Sequence, residues 1–107
     1  MEKKDLDWGN IGFSYMPTDK RYVANYKDGA WDEGGMTSDP NVMINECAGI
    51  LQYCQEIFEG LKAYTTEDGS IVTFRPDLNA ERMMDSARRL EMPPSRRSDS
   101  WRQWTRW

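Results

Sequence analysis

A hairpin signal followed at once by a helix signal constrains the fold of this chain more than any other feature. The strand-like runs 61–66 and 70–74 are joined by a turn that contains Asp68-Gly69, a pair typical of tight β-hairpins. Pro76 ends the second run, and Asp77 stands where a helix N-cap is favoured. The apolar positions that follow are three and four residues apart: Ala80, Met83, Met84, Ala87 and Leu90. The order of strand, turn, strand and amphipathic helix predicts an α+β fold.

The first half of the chain predicts further short strands and a second helix. Residues 22–26 alternate aromatic and β-branched side chains and end at Asp28-Gly29, another hairpin signal. Asp39-Pro40 is a helix-start signal, although the residues after it form helices weakly. Over 48–58 the apolar residues return at helical spacing, which predicts a helix that Gly60 ends.

Composition excludes several classes of function. The net charge of −4 gives no reason to expect nucleic acid or an anionic membrane as a partner. The sequence has no histidine, which excludes imidazole bases, histidine-containing catalytic triads and most zinc sites. We therefore expect no metal site. Cys47 and Cys54 are too few for a disulfide framework, and we expect reduced thiols. The charged N-terminus and the lack of long apolar runs predict a cytoplasmic protein.

Two sequence motifs carry a family resemblance. Residues 53–64 read YCQEIFEGLKAY, and residues 74–83 read FRPDLNAERM, with Arg82 near the end of the second motif. Together they resemble the N-terminal small domain of branched-chain amino acid aminotransferases, pyridoxal-phosphate enzymes of the D-alanine aminotransferase-like (class IV) fold. The resemblance implies an incomplete fold of this type, with the small domain over 1–94 and an unrelated tail over 95–107.

The resemblance implies roles for five residues. Arg82 falls on the position whose guanidinium binds the cofactor phosphate; the alternative is a solvated arginine on the polar face of a helix. Phe58 and Tyr53 match aromatic residues of the pocket for the branched side chain, Tyr53 serving the neighbouring subunit; ordinary core packing is the alternative. Gly60 lets the backbone approach the substrate or simply ends a helix. Lys62 matches a pocket position where relatives carry lysine or arginine.

The parent reaction implied by the resemblance moves the amino group of leucine, isoleucine or valine to 2-oxoglutarate through pyridoxal 5′-phosphate, in a homodimer. Such catalysis needs a lysine that holds the cofactor as a Schiff base. In the family this lysine lies far downstream of the segment that 53–64 resembles, and Lys62 is not its equivalent. We therefore expect no catalytic residue in this chain, no bound cofactor and no activity of the chain alone.

The last thirteen residues, 95–107, differ in character from the rest, since they hold three of the five tryptophans and four arginines. A frameshift is our preferred explanation, because the tail can be encoded so that the shifted frame reads Phe-Ala-Glu-Glu-Arg-Phe-Val-Glu-Ala-Val-Asp-Ala-Val. The alternatives are a non-catalytic binding module with an Arg/Trp interaction tail, and a structural partner of a separate lysine-bearing chain. The nucleotides that follow the stop codon distinguish these hypotheses.

Overall fold

The structure is a computed structural model that describes residues 7–95, so the tail prediction lies, apart from Ser95, outside the described residues. In chain order the elements are a 3-10 helix Trp8–Asn10, β1 Arg21–Val23, β2 Tyr26–Lys27, β3 Ala30–Trp31, β4 Gly35–Thr37, α1 Gly49–Tyr53, β5 Ala63–Thr65, β6 Ile71–Thr73 and α2 Pro76–Arg89. The strands form three separate antiparallel pairs, β1 with β4, β2 with β3 and β5 with β6. The predicted mixture of helix and strand is confirmed.

The Asp28-Gly29 hairpin forms as predicted. Both turn residues have positive φ, 52° and 84°, which matches the twist that tight hairpins require. Tyr26 pairs with Trp31 across the two strands, and their rings meet edge to face at 5.3 Å. The prediction of one continuous strand over 22–26 was wrong. The backbone N–H of Asn25 donates to the Asp32 carboxylate at 2.9 Å, so the chain turns from one strand pair into the next.

The second predicted hairpin, β5–β6, is also confirmed, with Tyr64 opposite Val72 at its centre. Gly69 takes a φ of 83° in the turn. The Asp68 carboxylate accepts hydrogen bonds from the Ser70 backbone N–H at 3.1 Å and from the Thr66 hydroxyl. The turn is therefore stabilised by its own side chains as well as by its backbone.

Helix α1 is much shorter than the predicted helix over 48–58. It ends at Tyr53, and its C-cap residue, Cys54, adopts a left-handed conformation with a φ of 51°. The segment 55–60 then runs beside α2, because Gln55 Nε2 donates to the Leu90 carbonyl at 2.7 Å and Asn79 Nδ2 donates to the Gly60 carbonyl at 2.7 Å. Leu90 and Asn79 lie about 16 Å apart along the axis of α2. The segment from Gln55 to Gly60 must cover this distance, which it can do when extended but not when helical. The prediction that Gly60 ends a helix was accordingly wrong.

Helix α2 begins at Pro76, two residues before Leu78, which would be its first residue if Asp77 were the N-cap. Arg75 is the N-cap residue, with a φ of 45°, and Pro76 occupies the first turn. The predicted N-cap role of Asp77 was wrong, since its carboxylate instead accepts hydrogen bonds from Nε and Nη2 of Arg75. The predicted apolar stripe is confirmed in part: Ala80 and Ala87 are buried, whereas Met83 and Met84 are half-buried and Leu90 is exposed.

Very little apolar surface is buried in the described residues. Ala80 and Ala87 are the buried hydrophobic residues, whereas Phe13, Tyr53, Phe58 and Phe74 are all exposed. No helix begins directly after Asp39, whose carboxylate instead accepts a hydrogen bond from the Asn41 backbone N–H. Cys47 and Cys54 are free and exposed. Along the described part of the chain no helix has the length and apolar character to cross a membrane.

Candidate functional site

An ion pair between α2 and the segment before β5 is the main polar contact near the predicted site residues. Arg82 Nε donates to Glu59 Oε2 at 2.7 Å, and Arg82 Nη2 donates to Glu59 Oε1 at 2.5 Å. The Glu59 side chain is 8% exposed, whereas that of Arg82 is 61% exposed. The carboxylate is thus fixed within the fold, and the guanidinium reaches from it toward solvent.

Asn79 and Gly60 complete what we call the Glu59 cluster, which consists of Glu59, Gly60, Asn79 and Arg82. Asn79 Nδ2 donates to Glu59 Oε1 at 2.9 Å, and the Gly60 backbone N–H donates to the same oxygen at 3.1 Å. Asn79 and Arg82 are three residues apart on α2, so they share one face of the helix. The Glu59 carboxylate therefore joins the segment Phe58-Glu59-Gly60, which we call the FEG segment, to this face of α2.

The electrostatics of the cluster follow from these hydrogen bonds. The bidentate bond from Arg82 is the largest cause that lowers the pKa of Glu59, and Asn79 and the Gly60 N–H act in the same direction against partial burial. Reciprocally, the carboxylate raises the pKa of Arg82. Both groups are therefore charged at neutral pH. The fork geometry is the strong, charge-assisted kind of hydrogen bonding.

Arg82 retains the capacity to bind an anion. A guanidinium has five N–H donors, and Glu59 receives one from Nε and one from Nη2. Within residues 7–95, Nη1 makes no hydrogen bond, so its donors and the second donor of Nη2 are left for a phosphate oxygen. The exposed guanidinium thus fits the predicted phosphate-binding role, even though one carboxylate already compensates its charge.

Arg75 also forms a bidentate ion pair, with Asp77 of α2, and this pair differs from the Arg82–Glu59 pair in exposure and in sequence separation. Its Nε and Nη2 contact the Asp77 carboxylate, two residues along the chain, and both side chains are well exposed. The Arg75 pair is therefore a local surface interaction of small energetic value. The Arg82 pair instead connects residues 23 positions apart in the sequence.

The predicted pocket residues lie at the surface of the described structure. Tyr53 is the last residue of α1, with 86% of its surface exposed, and Phe58 is 95% exposed. The alternative of core packing is therefore wrong for both residues. A Cβ added at Gly60 would meet no atom within 4 Å, so the space above its backbone is open. Lys62 is exposed just before β5.

The structure joins Gly60 to Arg82 through Glu59, whereas no hydrogen bond or ring contact within residues 7–95 joins Tyr53, Phe58 or Lys62 to Arg82. Sequence reasoning missed Glu59 and Asn79. The spacing of Asn79 and Arg82 on one helix face was an available signal for Asn79. Glu59 gave no such signal, because its partner is distant in the sequence.

Comparison with known proteins shows what this sequence is similar to. None of the protein-family models scanned matches the sequence. The branched-chain-amino-acid aminotransferase of Haemophilus influenzae is 58% identical over 90 residues, which are 84% of this chain and 26% of that protein. The family resemblance is confirmed. The aminotransferase of the same name from Helicobacter pylori is 46% identical over 90 residues, 84% of this chain and 26% of the relative.

A plant relative gives the same result. The chloroplastic branched-chain-amino-acid aminotransferase 2 of Arabidopsis thaliana is 46% identical over 90 residues, which are 83% of this chain and 23% of that enzyme. The chain thus spans about a quarter of the length of the curated aminotransferases it matches. It is similar to a segment of these proteins.

Proposed function

We propose that this chain supplies the segment of a branched-chain amino acid aminotransferase that binds the phosphate of pyridoxal phosphate and forms one wall of the substrate pocket. The observation that carries the proposal is Arg82, whose guanidinium is anchored on one side by Glu59 and open to solvent on the other. The 58% identity to the Haemophilus influenzae aminotransferase supports the assignment.

Each proposed site residue has a task that suits its chemistry. Arg82 binds the phosphate with its remaining guanidinium donors. Phe58 and Tyr53 present apolar rings that exclude water from the branched side chain of the substrate, with Tyr53 serving the neighbouring subunit of a homodimer. Gly60 leaves room for the substrate beside the backbone, and Lys62 contributes a positive charge to the wall of the pocket. Pyridoxal phosphate, when bound, supplies the electron sink for the transfer of the amino group.

The proposed substrates are leucine, isoleucine or valine as amino donor and 2-oxoglutarate as acceptor. None of the five proposed site residues takes the proton from the substrate. In this proposal that step belongs to a lysine from outside residues 1–107. The small domain of this proposal comprises residues 1–94.

A chimera tests the proposal, because the segment can be placed in a complete enzyme. The 90 aligned residues of the Haemophilus influenzae aminotransferase are replaced by those of this chain. We expect the chimera to transaminate leucine with 2-oxoglutarate. A folded chimera without activity would show that the segment no longer serves the reaction and would favour the non-catalytic binding module.

In the same chimera, Phe58→Ala is expected to lower selectivity for leucine over the unbranched 2-aminobutyrate. The truncation removes apolar surface from the pocket wall, and one methylene group in such a pocket is worth about 10- to 200-fold in discrimination. The measurement is the ratio of kcat/KM for the two amino donors. Phe74→Ala is the matched control, since Phe74 is similarly exposed but is not among the proposed pocket residues. An unchanged ratio for Phe58→Ala would remove this residue from the pocket.

A further inference from the structure

Resting on the proposed function, we infer that Glu59 is a positioning residue for the phosphate site. It holds the Nε and Nη2 side of the Arg82 guanidinium so that the Nη1 donors remain free for the phosphate. Glu59 itself contacts neither the phosphate nor the reacting atoms. It acts through Arg82 alone.

Glu59 is suited to this role because it is itself immobilised. Its side chain is 8% exposed, and its two oxygens accept four hydrogen bonds, from Nε and Nη2 of Arg82, Nδ2 of Asn79 and the backbone N–H of Gly60. Asn79 Nδ2 also donates to the Gly60 carbonyl at 2.7 Å, which ties the backbone next to Glu59 to α2. Three of these hydrogen bonds fall on Oε1 and one on Oε2, so the carboxylate has a fixed orientation toward Arg82.

The exposure of Arg82 is the reason that an existing contact with Glu59 matters. Its side chain is 61% exposed, and a long flexible side chain must lose its rotamer freedom when it binds an anion. An existing fork–fork contact immobilises the guanidinium before the anion arrives, so less freedom is lost on binding. The orientation is set across 23 residues of sequence, from the FEG segment to α2.

The alternative to positioning is competition, in which Glu59 and the phosphate would bind the same guanidinium at each other's expense. A second anion near the guanidinium repels the first, and removal of its charge would then tighten binding. A substitution that keeps the charge but shortens the side chain separates the two effects. Glu59→Asp retains the carboxylate and withdraws it by one methylene, which breaks the bidentate geometry with Arg82.

The experiment measures dissociation constants of the full-length chimera for pyridoxal phosphate and for pyridoxal, which lacks the phosphate, by equilibrium dialysis. We expect Glu59→Asp to weaken pyridoxal phosphate binding by about 3- to 10-fold, the range expected for loss of a pre-ordered side chain. Pyridoxal binding should stay unchanged, which also shows that the variant is folded. Asp77→Glu is the matched control, because it changes the Arg75 fork by one methylene and should alter neither constant.

A double variant makes the inference specific to Arg82. If Glu59 acts only through Arg82, then Glu59→Asp with Arg82→Ala binds pyridoxal phosphate no more weakly than Arg82→Ala alone. Unchanged or tighter binding of pyridoxal phosphate by Glu59→Asp would overturn the inference, and so would an equal loss for pyridoxal. If Arg82→Ala itself has no effect on either constant, the proposed function fails at this residue, which is a different outcome.

Discussion

The 107-residue chain on its own is expected to unfold without a cooperative transition. Ordering a residue costs about 1.2–2 kcal/mol in backbone and side-chain entropy, and burial of apolar surface must offset that cost. In the described residues Ala80 and Ala87 are the buried hydrophobic side chains, and alanine offers the least area to bury. The strands form isolated pairs, which are marginal in water without a third strand or a covering helix.

The exposed aromatic residues strengthen this expectation. Tyr53, Phe58 and Phe74 leave apolar surface in water, and such surface favours self-association and dye binding. The measurement is thermal unfolding by near-ultraviolet circular dichroism, together with the oligomeric state by light scattering. The chimera, in which the same segment is part of a complete enzyme, is the control and should unfold sharply. A sharp transition from a monodisperse 107-residue monomer would contradict the expectation.

The elements that the sequence predicted correctly are those whose determinants are local. The two Asp-Gly hairpins form because their turn residues supply positive φ, and the Asp68 side chain adds hydrogen bonds in the second turn. Helix α2 also forms, since a regular apolar repeat marks it within one segment. Only its N-cap was misassigned, because the sequence does not show that Asp77 prefers the Arg75 guanidinium to the helix N–H groups.

The elements that were predicted wrongly depend on distant partners. The apolar spacing over 48–58 is helical, yet the hydrogen bonds of Gln55 to Leu90 and of Gly60 to Asn79 require an extended segment beside α2. Periodicity cannot contain that information, because the competing partners are more than a dozen residues away. The Glu59 cluster was missed for the same reason. The motif assigns the cofactor phosphate to Arg82, which stays a prediction, but it gave no sign of the Glu59 carboxylate that contacts this arginine.

Arg82→Ala in the chimera is expected to weaken pyridoxal phosphate binding by about 10- to 100-fold, since charge-assisted bonds to a phosphate are worth a few kcal/mol in a partly dry site. Truncation removes all donors of the guanidinium and also leaves Glu59, which is 8% exposed, without its charged partner. Some loss of thermal stability should accompany the change for that reason. Arg75→Ala is the matched control, because Arg75 makes the same kind of fork with the exposed Asp77.

The ratio of the dissociation constants for pyridoxal phosphate and pyridoxal, measured for the chimera and its Arg82→Ala variant, tests the central claim most directly. If Arg82 binds the phosphate, the variant loses affinity for pyridoxal phosphate by about 10- to 100-fold and keeps its affinity for pyridoxal. Arg75→Ala should leave both constants as they are. Equal affinities of Arg82→Ala and the unmodified chimera for pyridoxal phosphate would contradict the claim, and a selective loss with Arg75→Ala would assign the phosphate to Arg75 instead.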